Sequence, residues 1–160
     1  MPANQPLANR VIFGDNLKAL KTLDSECAQL IYIDPPFNTG RTQTRGTATT
    51  TRVTEGGRVG FKGRQYETVR QTVLSYDDEF ADYWAFLEPR LEEAWRLLNE
   101  TGTLYLHLDY REAHYAKVML DALFGRDSFL NELIWAYDYG AKAKGRWPAK
   151  HDTILVYVKN

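Results

Sequence analysis

The sequence predicts an α/β fold with a mostly parallel, doubly wound sheet. Two observations carry this reading. Apolar runs of strand length end at turn-forming residues, as in Leu30-Ile31-Tyr32-Ile33 before Asp34-Pro35-Pro36. Between such runs, apolar residues recur at helical spacing, as in Trp84, Leu87, Leu91, Trp95 and Leu98. Strands alternating with helices along a chain build an open sheet with crossover helices.

Each element follows from its residues. Val11-Ile12-Phe13 reads as a short strand closed by Gly14-Asp15, and Asn16 can cap a helix whose face carries Leu17, Leu20 and Leu23. Leu30 to Ile33 is an unbroken apolar run, as expected of a strand buried on both faces of a parallel sheet. It stops at Pro35-Pro36 because proline has no amide hydrogen for a ladder. Asn38 to Ser75 is polar, with eight threonines between Thr39 and Thr54 and no helical period. It is expected to be a loop or insertion at about 39–75, with a threonine-rich hairpin as the alternative. Periodicity returns from Tyr83 to about Asn99, where Pro89 argues for a kink or a late start. Leu104, Leu106 and Leu108 alternate with Tyr105 and His107 in a strand. Tyr115, Val118, Met119, Ala122 and Leu123 mark a helix stopped by Gly125. Phe129 to Trp135 reads as a further buried strand and Thr153 to Val158 as the last. No helix separates these two, so they are expected to run antiparallel.

The 160 residues suit one domain with one core. A net charge of −1 gives no global attraction to a polyanion. The charge is unevenly spread, however. Arg41, Arg45, Arg52, Arg58, Lys62, Arg64 and Arg70 face only Glu55 and Glu67 between Thr39 and Thr72. A second basic stretch holds Lys142, Lys144, Arg146 and Lys150. Both are read as contacts to a phosphate backbone, weighed against a solvated surface. The single cysteine, Cys27, excludes an internal disulfide, agrees with a reducing compartment and is read as a small buried residue. No apolar run approaches the roughly 20 residues of a membrane span, and Met1 to Arg10 lacks the pattern of a secretory signal. A cytoplasmic protein without a membrane partner is expected.

Open α/β sheets bind ligands beyond the carboxyl ends of their strands. Asp15, Asp34 and Asp109 all follow expected strands and would line that edge. A strand-end aspartate is commonly a turn former or helix cap. Asp34 is set apart by Pro35-Pro36-Phe37. Two prolines stiffen the backbone, their nitrogens carry no hydrogen, and Phe37 adds an aromatic face. A carboxylate, a rigid carbonyl and a ring form a clamp for a planar exocyclic amine. Such an amine is a poor nucleophile because its lone pair is delocalised. Acceptors aimed at its hydrogens favour the tetrahedral nitrogen that can attack a methyl group. A base reached this way must leave the double helix, and Phe37 would hold it by stacking.

Leu30 through Gly40, with Asp34-Pro35-Pro36-Phe37-Asn38 at its centre, resembles the catalytic motif of S-adenosylmethionine-dependent DNA amino-methyltransferases. It is similar in particular to the permuted class that includes the modification subunits of type III restriction systems. Phe13-Gly14-Asp15-Asn16-Leu17 resembles that family's Gly-Asp motif near the cofactor adenine. Tyr76 through Asp78, Trp84 through Leu98, Gly102 through Asp109, Asn131 through Trp135 and His151 through Tyr157 match further segments in order.

The resemblance implies a Rossmann-like methyltransferase fold with an antiparallel terminal strand. It implies methylation of an exocyclic amine in double-stranded DNA, adenine N6 ahead of cytosine N4. Asp34, Pro35, Pro36 and Phe37 would be catalytic. Asp15, Asn16 and Asp34 would bind the cofactor S-adenosylmethionine. Asn38, Arg41, Arg45, Arg52, Lys62, Arg64, Lys142 and Lys144 would contact DNA. A restriction subunit or a second copy of the chain are the further partners implied. No metal site is expected, because His114 and His151 show no ligand spacing, and His107 reads as a packed core histidine. The family's Phe-x-Gly-x-Gly cofactor motif and its target-recognition region are absent from these residues, so the chain is expected to be the catalytic part of a longer enzyme. Methylation of RNA or of a protein glutamine, or a remnant that binds nucleic acid without catalysis, are the alternatives.

Overall fold

The computed structural model describes residues 9, 11–53, 58–59, 65–76, 78–138 and 143–160, and along most of 43–76 it describes the backbone alone. In chain order the elements are α1 (Asn16–Leu20), β1 (Ala28–Ile33), β2 (Gln43–Val53), β3 (Arg58–Val59), β4 (Gln65–Tyr76), α2 (Tyr83–Leu97), β5 (Leu98–Leu108), α3 (Ala113–Phe124), β6 (Phe129–Ala136) and β7 (His151–Val158). They form two compact units, Met1–Phe37 with Asp82–Asn160, and Asn38–Ala81.

The first unit is α/β. Its four-stranded sheet has the order β1-β5-β7-β6. β1 runs parallel to β5, β5 antiparallel to β7, and β7 antiparallel to β6. The parallel character is thus confined to the β1–β5 pair, and the last two strands are antiparallel, as expected with no helix between them. Leu104, Leu106 and Leu108 of β5 are fully buried, with Leu87, Leu91 and Leu97 of α2 and Ala116 and Leu120 of α3. α2 packs on β5 and α3 on β7. Each buried leucine contributes about 1.5–3 kcal/mol relative to exposure.

α2 begins at Tyr83 because the Asp82 carboxylate accepts the Trp84 and Ala85 amides at 3.1 and 2.9 Å. It runs from Tyr83 through Pro89 to Leu97 as one helix, so of the two expectations raised by Pro89 the late start is not what forms. Apolar burial along Leu87, Leu91 and Ala94 outweighs the one hydrogen bond that Pro89 cannot make. α3 ends where Gly125 takes a φ of 87° and its amide closes on Asp121. In β5, the register with β1 shifts between Ala28 and Leu30. The shift accommodates Gly102, where a Cβ would lie 2.8 Å from Leu98 Cδ2.

Several sequence expectations are corrected here. Val11 to Phe13 forms no strand and is exposed. A strand is held by a partner ladder, and these residues have none among the described residues. β1 is covered on one face only: Leu30 is 60% and Tyr32 50% exposed. β6 is an edge strand, and Leu130, Leu133, Ile134 and Trp135 are exposed rather than buried. Cys27 is exposed, at the turn into β1 rather than inside it. The helix near Asn16 is capped by Asp15, whose carboxylate accepts the Lys18 amide at 3.0 Å.

The second unit contains a three-stranded antiparallel sheet of order β2-β4-β3. Of the two readings of 39–75, the hairpin describes β2 and β4. Alternating threonines can pair across an antiparallel ladder without a helical period, which is why the stretch resembles a loop in sequence. The ends of this unit are clasped by buried Asp78. Its carboxylate accepts the Asn38 amide at 2.8 Å and the Thr39 hydroxyl at 2.5 Å, while its carbonyl accepts the Gly40 amide.

Candidate functional site

The site begins at the carboxyl end of β1, where the chain leaves the sheet through Asp34-Pro35-Pro36-Phe37. Its backbone is held from one side: the Tyr83 hydroxyl at the start of α2 donates to the Pro36 carbonyl at 2.7 Å. Among the described residues none donates to the Pro35 carbonyl, which leaves it as an acceptor for something else. The Asp34 side chain is 61% exposed, and no described residue hydrogen-bonds to its carboxylate.

Behind Asp34 stands His107, one strand over on β5. Its Nδ1 lies 4.0 Å from Asp34 Oδ1 and 2.8 Å from the Tyr32 hydroxyl. Its Nε2 lies 3.5 Å from Asp152 Oδ2 on β7. The Phe37 ring is 5.7 Å away, centroid to centroid. Burial, and secondarily the Asp34 charge, push the Tyr32 hydroxyl up from its ordinary pKa, so it keeps its proton. From sequence His107 reads as a packed core residue. The alternation of β5 does turn it away from Leu106 and Leu108, but only the β1–β5 register shows that this brings it to Asp34.

Phe37 also opens on a cavity of about 420 Å³ whose walls include Asp109, Tyr110, Tyr137, Arg146 and Asp152. That is within the range of small-ligand pockets. Asp109 directly follows β5 and is largely buried. Burial raises its pKa, against the lowering effects of the Arg111 amide and guanidinium, both of which hydrogen-bond to it, while Asp152 adds a further push upward. Tyr137 donates to Asp152 at 3.3 Å. Arg146 Nη2 donates to the Tyr110 hydroxyl at 3.2 Å.

On the other side of the motif is a second cavity of about 320 Å³, with Asn16, Ile31, Asp34, Pro36, Phe86 and Arg90 among its walls. Arg90 draws two of the three expected cofactor residues together: its Nε donates to Asn16 Oδ1 at 2.8 Å and its Nη2 to Asp15 Oδ2 at 3.3 Å. Asp15 therefore serves as both helix cap and ion-pair partner.

The expected DNA contacts are placed unevenly. Asn38 has a φ of 53° and its side chain accepts the Phe80 amide at 3.3 Å, so it helps to close the second unit. Arg41 and Lys144 are exposed. Arg45 and Arg52 belong to β2, where the backbone alone is described. Lys62, Arg64 and Lys142 lie outside the described residues. Trp95 stacks on Phe124 at 4.1 Å, as a core residue would. Among the described residues no cluster of histidine, cysteine and carboxylate side chains could hold a metal, and no helix is long and apolar enough to cross a membrane.

Residues 28–160 match the family model described as DNA methylase. The chain belongs to that family. It is 31% identical to the type II methyltransferase M.EcaI of Enterobacter cloacae, over 96% of this chain and 30% of that protein. It is 34% identical to a relative described as the probable Mod subunit of the type III restriction-modification enzyme HindVI of Haemophilus influenzae, over 79% of this chain and 14% of that protein. The chain thus spans under a third of these DNA methylase relatives. A solved chain from Thermus thermophilus, described as a DNA modification methylase, superposes with a TM-score of 0.53 at 18% identity, covering 91% of this chain and 50% of that one. At that identity the likeness shows a shared fold.

Proposed function

We propose that this DNA methylase family member provides the catalytic part of an enzyme that methylates an exocyclic amine of a flipped DNA base. Adenine N6 is the preferred target and cytosine N4 the alternative. The observation that carries this reading is the pair of open acceptors at the end of β1, the exposed Asp34 carboxylate and the unpartnered Pro35 carbonyl, beside the Phe37 ring at the mouth of a cavity. Asp34 and the Pro35 carbonyl accept the two amine hydrogens and draw the nitrogen toward a tetrahedral form whose lone pair points away from the ring. Phe37 stacks on the base, and Pro36, tied to Tyr83, keeps the turn from yielding.

The second cavity fits the adenosine half of S-adenosylmethionine in its donor set. Asn16 and Asp34 offer polar atoms in its wall, Asp15 is held next to it by Arg90, and Ile31 and Phe86 offer apolar walls. When bound, that group supplies the electrophilic methyl. Arg41, Arg45, Arg52, Lys62, Arg64, Lys142 and Lys144 supply charge for double-stranded DNA. A restriction subunit or a second copy of the chain are further partners of this reading.

Methyl incorporation into double-stranded DNA by the protein as its natural gene encodes it tests the proposal. Nuclease digestion of the product separates N6-methyladenine from N4-methylcytosine. Incorporation that persists at the normal rate with Asp34→Ala overturns the assignment.

A further inference from the structure

We propose that His107 is a positioning residue that backs Asp34 as a proton acceptor, an inference that rests on the amine-clamp reading above. The titratable groups facing its ring come from both flanking strands: the Tyr32 hydroxyl and Asp34 carboxylate from β1, and the Asp152 carboxylate from β7. On its own strand, Tyr105 precedes it on the same face and Asp109 closes the strand end. The Nε2 atom is buried and has no hydrogen-bond partner among the described residues. A buried ring nitrogen left this way calls for an explanation, and the arrangement of the other groups supplies one.

We take the Tyr32 hydroxyl as the donor in its 2.8 Å contact with Nδ1, since the nitrogen left to carry the ring hydrogen is then the one that faces the Asp152 carboxylate. The neutral ring must then carry its own hydrogen on Nε2, directed at the Asp152 carboxylate 3.5 Å away. This tautomer leaves Nδ1 basic on the side of Asp34. The Tyr32 hydroxyl can rotate from donor to acceptor without moving its oxygen.

Methyl transfer forms a nitrogen–carbon bond with the amine lone pair and leaves that nitrogen cationic, so one N–H proton must depart. Asp34 takes it and becomes a carboxylic acid. Asp34 then passes it to Nδ1 and returns to the carboxylate. The imidazolium so formed has its Nε2–H facing Asp152 and its Nδ1–H facing Tyr32. One positive charge moves from the amine to the ring, and no atom is gained or lost. The 4.0 Å gap closes by a small torsion of the exposed, unbonded Asp34 side chain, since such contacts commonly tighten only in the substrate complex. Once the product has left, the Nδ1 proton returns through the exposed Asp34 carboxylate to water, which restores the Nε2–H tautomer.

Two measurements test this. In the first, the chain is labelled with ¹⁵N-histidine, and His107→Gln assigns the His107 ring among the three histidines. Ring-nitrogen shifts at alkaline pH are expected to show the Nε2–H tautomer, and Tyr32→Phe to turn it into a mixture. An Nδ1–H tautomer in the unsubstituted chain overturns the proposal whatever the reaction proves to be.

In the second, single-turnover methylation is followed in the protein as its natural gene encodes it. General-base assistance accounts for ~10²-fold or more in rate. His107→Ala and His107→Gln are expected to lose that much, with cofactor and DNA affinities unchanged, the pH dependence altered and added imidazole restoring part of the rate for His107→Ala. Thermal melts of both variants show that each is folded. A normal rate in either folded variant overturns the proposal. Failure of the clamp reading looks different, because Asp34→Ala is then the variant that leaves methylation intact.

Discussion

Asp34 and Phe37 are the residues on which the proposed chemistry turns, and they fail in different ways when changed. Asp34→Asn keeps the shape and removes the charge that draws the amine hydrogens. Loss of one such electrostatic interaction costs about 10²–10³-fold in kcat, so single-turnover methylation is expected to fall by that amount with DNA affinity preserved. Phe37→Ala removes the stacking face, and base–aromatic stacking is worth about 1–3 kcal/mol. Binding of a duplex carrying an abasic site, in which no base needs the ring, is expected to be unaffected by Phe37→Ala, and fluorescence titration of both duplexes checks this. The proposed Asp-Pro-Pro-Phe clamp could be drawn from sequence because its parts are local: four consecutive residues at a strand end carry the acceptors and the ring. The place of His107 could not, because its partners Tyr32, Asp34 and Asp152 are 75, 73 and 45 residues away in sequence.

The elements are stabilised by ordinary packing with a few specific devices. Gly102 lets β5 bulge past Leu98, and an added Cβ would meet Leu98 Cδ2 at 2.8 Å and the Asn99 carbonyl oxygen at 3.0 Å. The backbone atom cannot move away cheaply. Gly102→Ala is therefore expected to destabilise the fold by about 1–3 kcal/mol, read from the urea midpoint. Between α3 and β7, the Tyr157 hydroxyl donates to Asp121 at 2.7 Å, and Lys117 donates to both Asp121 oxygens at 2.7 and 2.8 Å. Lys117, and less strongly Tyr157, hold the Asp121 carboxyl below its ordinary value of 3.8, against a desolvation effect that raises it. A carboxyl lowered on folding stabilises the native state above its unfolded pKa and loses that contribution as the pH falls through its folded value. Urea midpoints measured from pH 6 downward are expected to fall less steeply for Asp121→Asn than for the unsubstituted chain below about pH 4. Asp109 has the opposite sign: its raised carboxyl favours the native state at acid pH and loses that contribution as the pH rises through its folded value. α2 could be read from sequence because its 3.6-residue period is set by one buried face, with Leu87 and Leu91 at its centre, whereas the apolar residues that mark α3 include exposed Tyr115 and Val118 and its buried side is Ala113, Ala116 and Leu120. Pro89 does not delay the start of α2, because its local backbone preference is outweighed by the burial of the residues around it.

For the whole molecule, the distribution of charge and apolar surface matters more than any single interaction. In the first unit, helices cover one face of the sheet, while Leu30, Tyr32, Leu133 and Trp135 remain exposed and border a common apolar hollow on the other. Exposed apolar patches of this kind bind hydrophobic dyes and promote association. The chain is expected to enhance the fluorescence of an anilinonaphthalene dye, and Leu30→Ser combined with Leu133→Ser to reduce that enhancement. The basic residues are expected to act through the phosphate backbone. If Arg41, Arg45, Arg52 and Lys144 each hold one phosphate, replacing all four with alanine lowers the slope of log K against log salt by about 0.9 for every phosphate released. An unchanged slope removes them from the DNA interface. By itself, the sequence determined the α/β class, the strand ending at Asp34 and the antiparallel last pair, and it carries the consecutive residues of the proposed amine clamp. Each is written in periodicity or in consecutive residues. The tertiary structure decided between the loop and hairpin readings by pairing Gln43–Val53 with Gln65–Tyr76, left apolar residues of β1 and β6 exposed, and brought His107 behind Asp34. Those outcomes depend on which strands become neighbours and in what register, and that is set by the packing of the whole sheet rather than by any one segment.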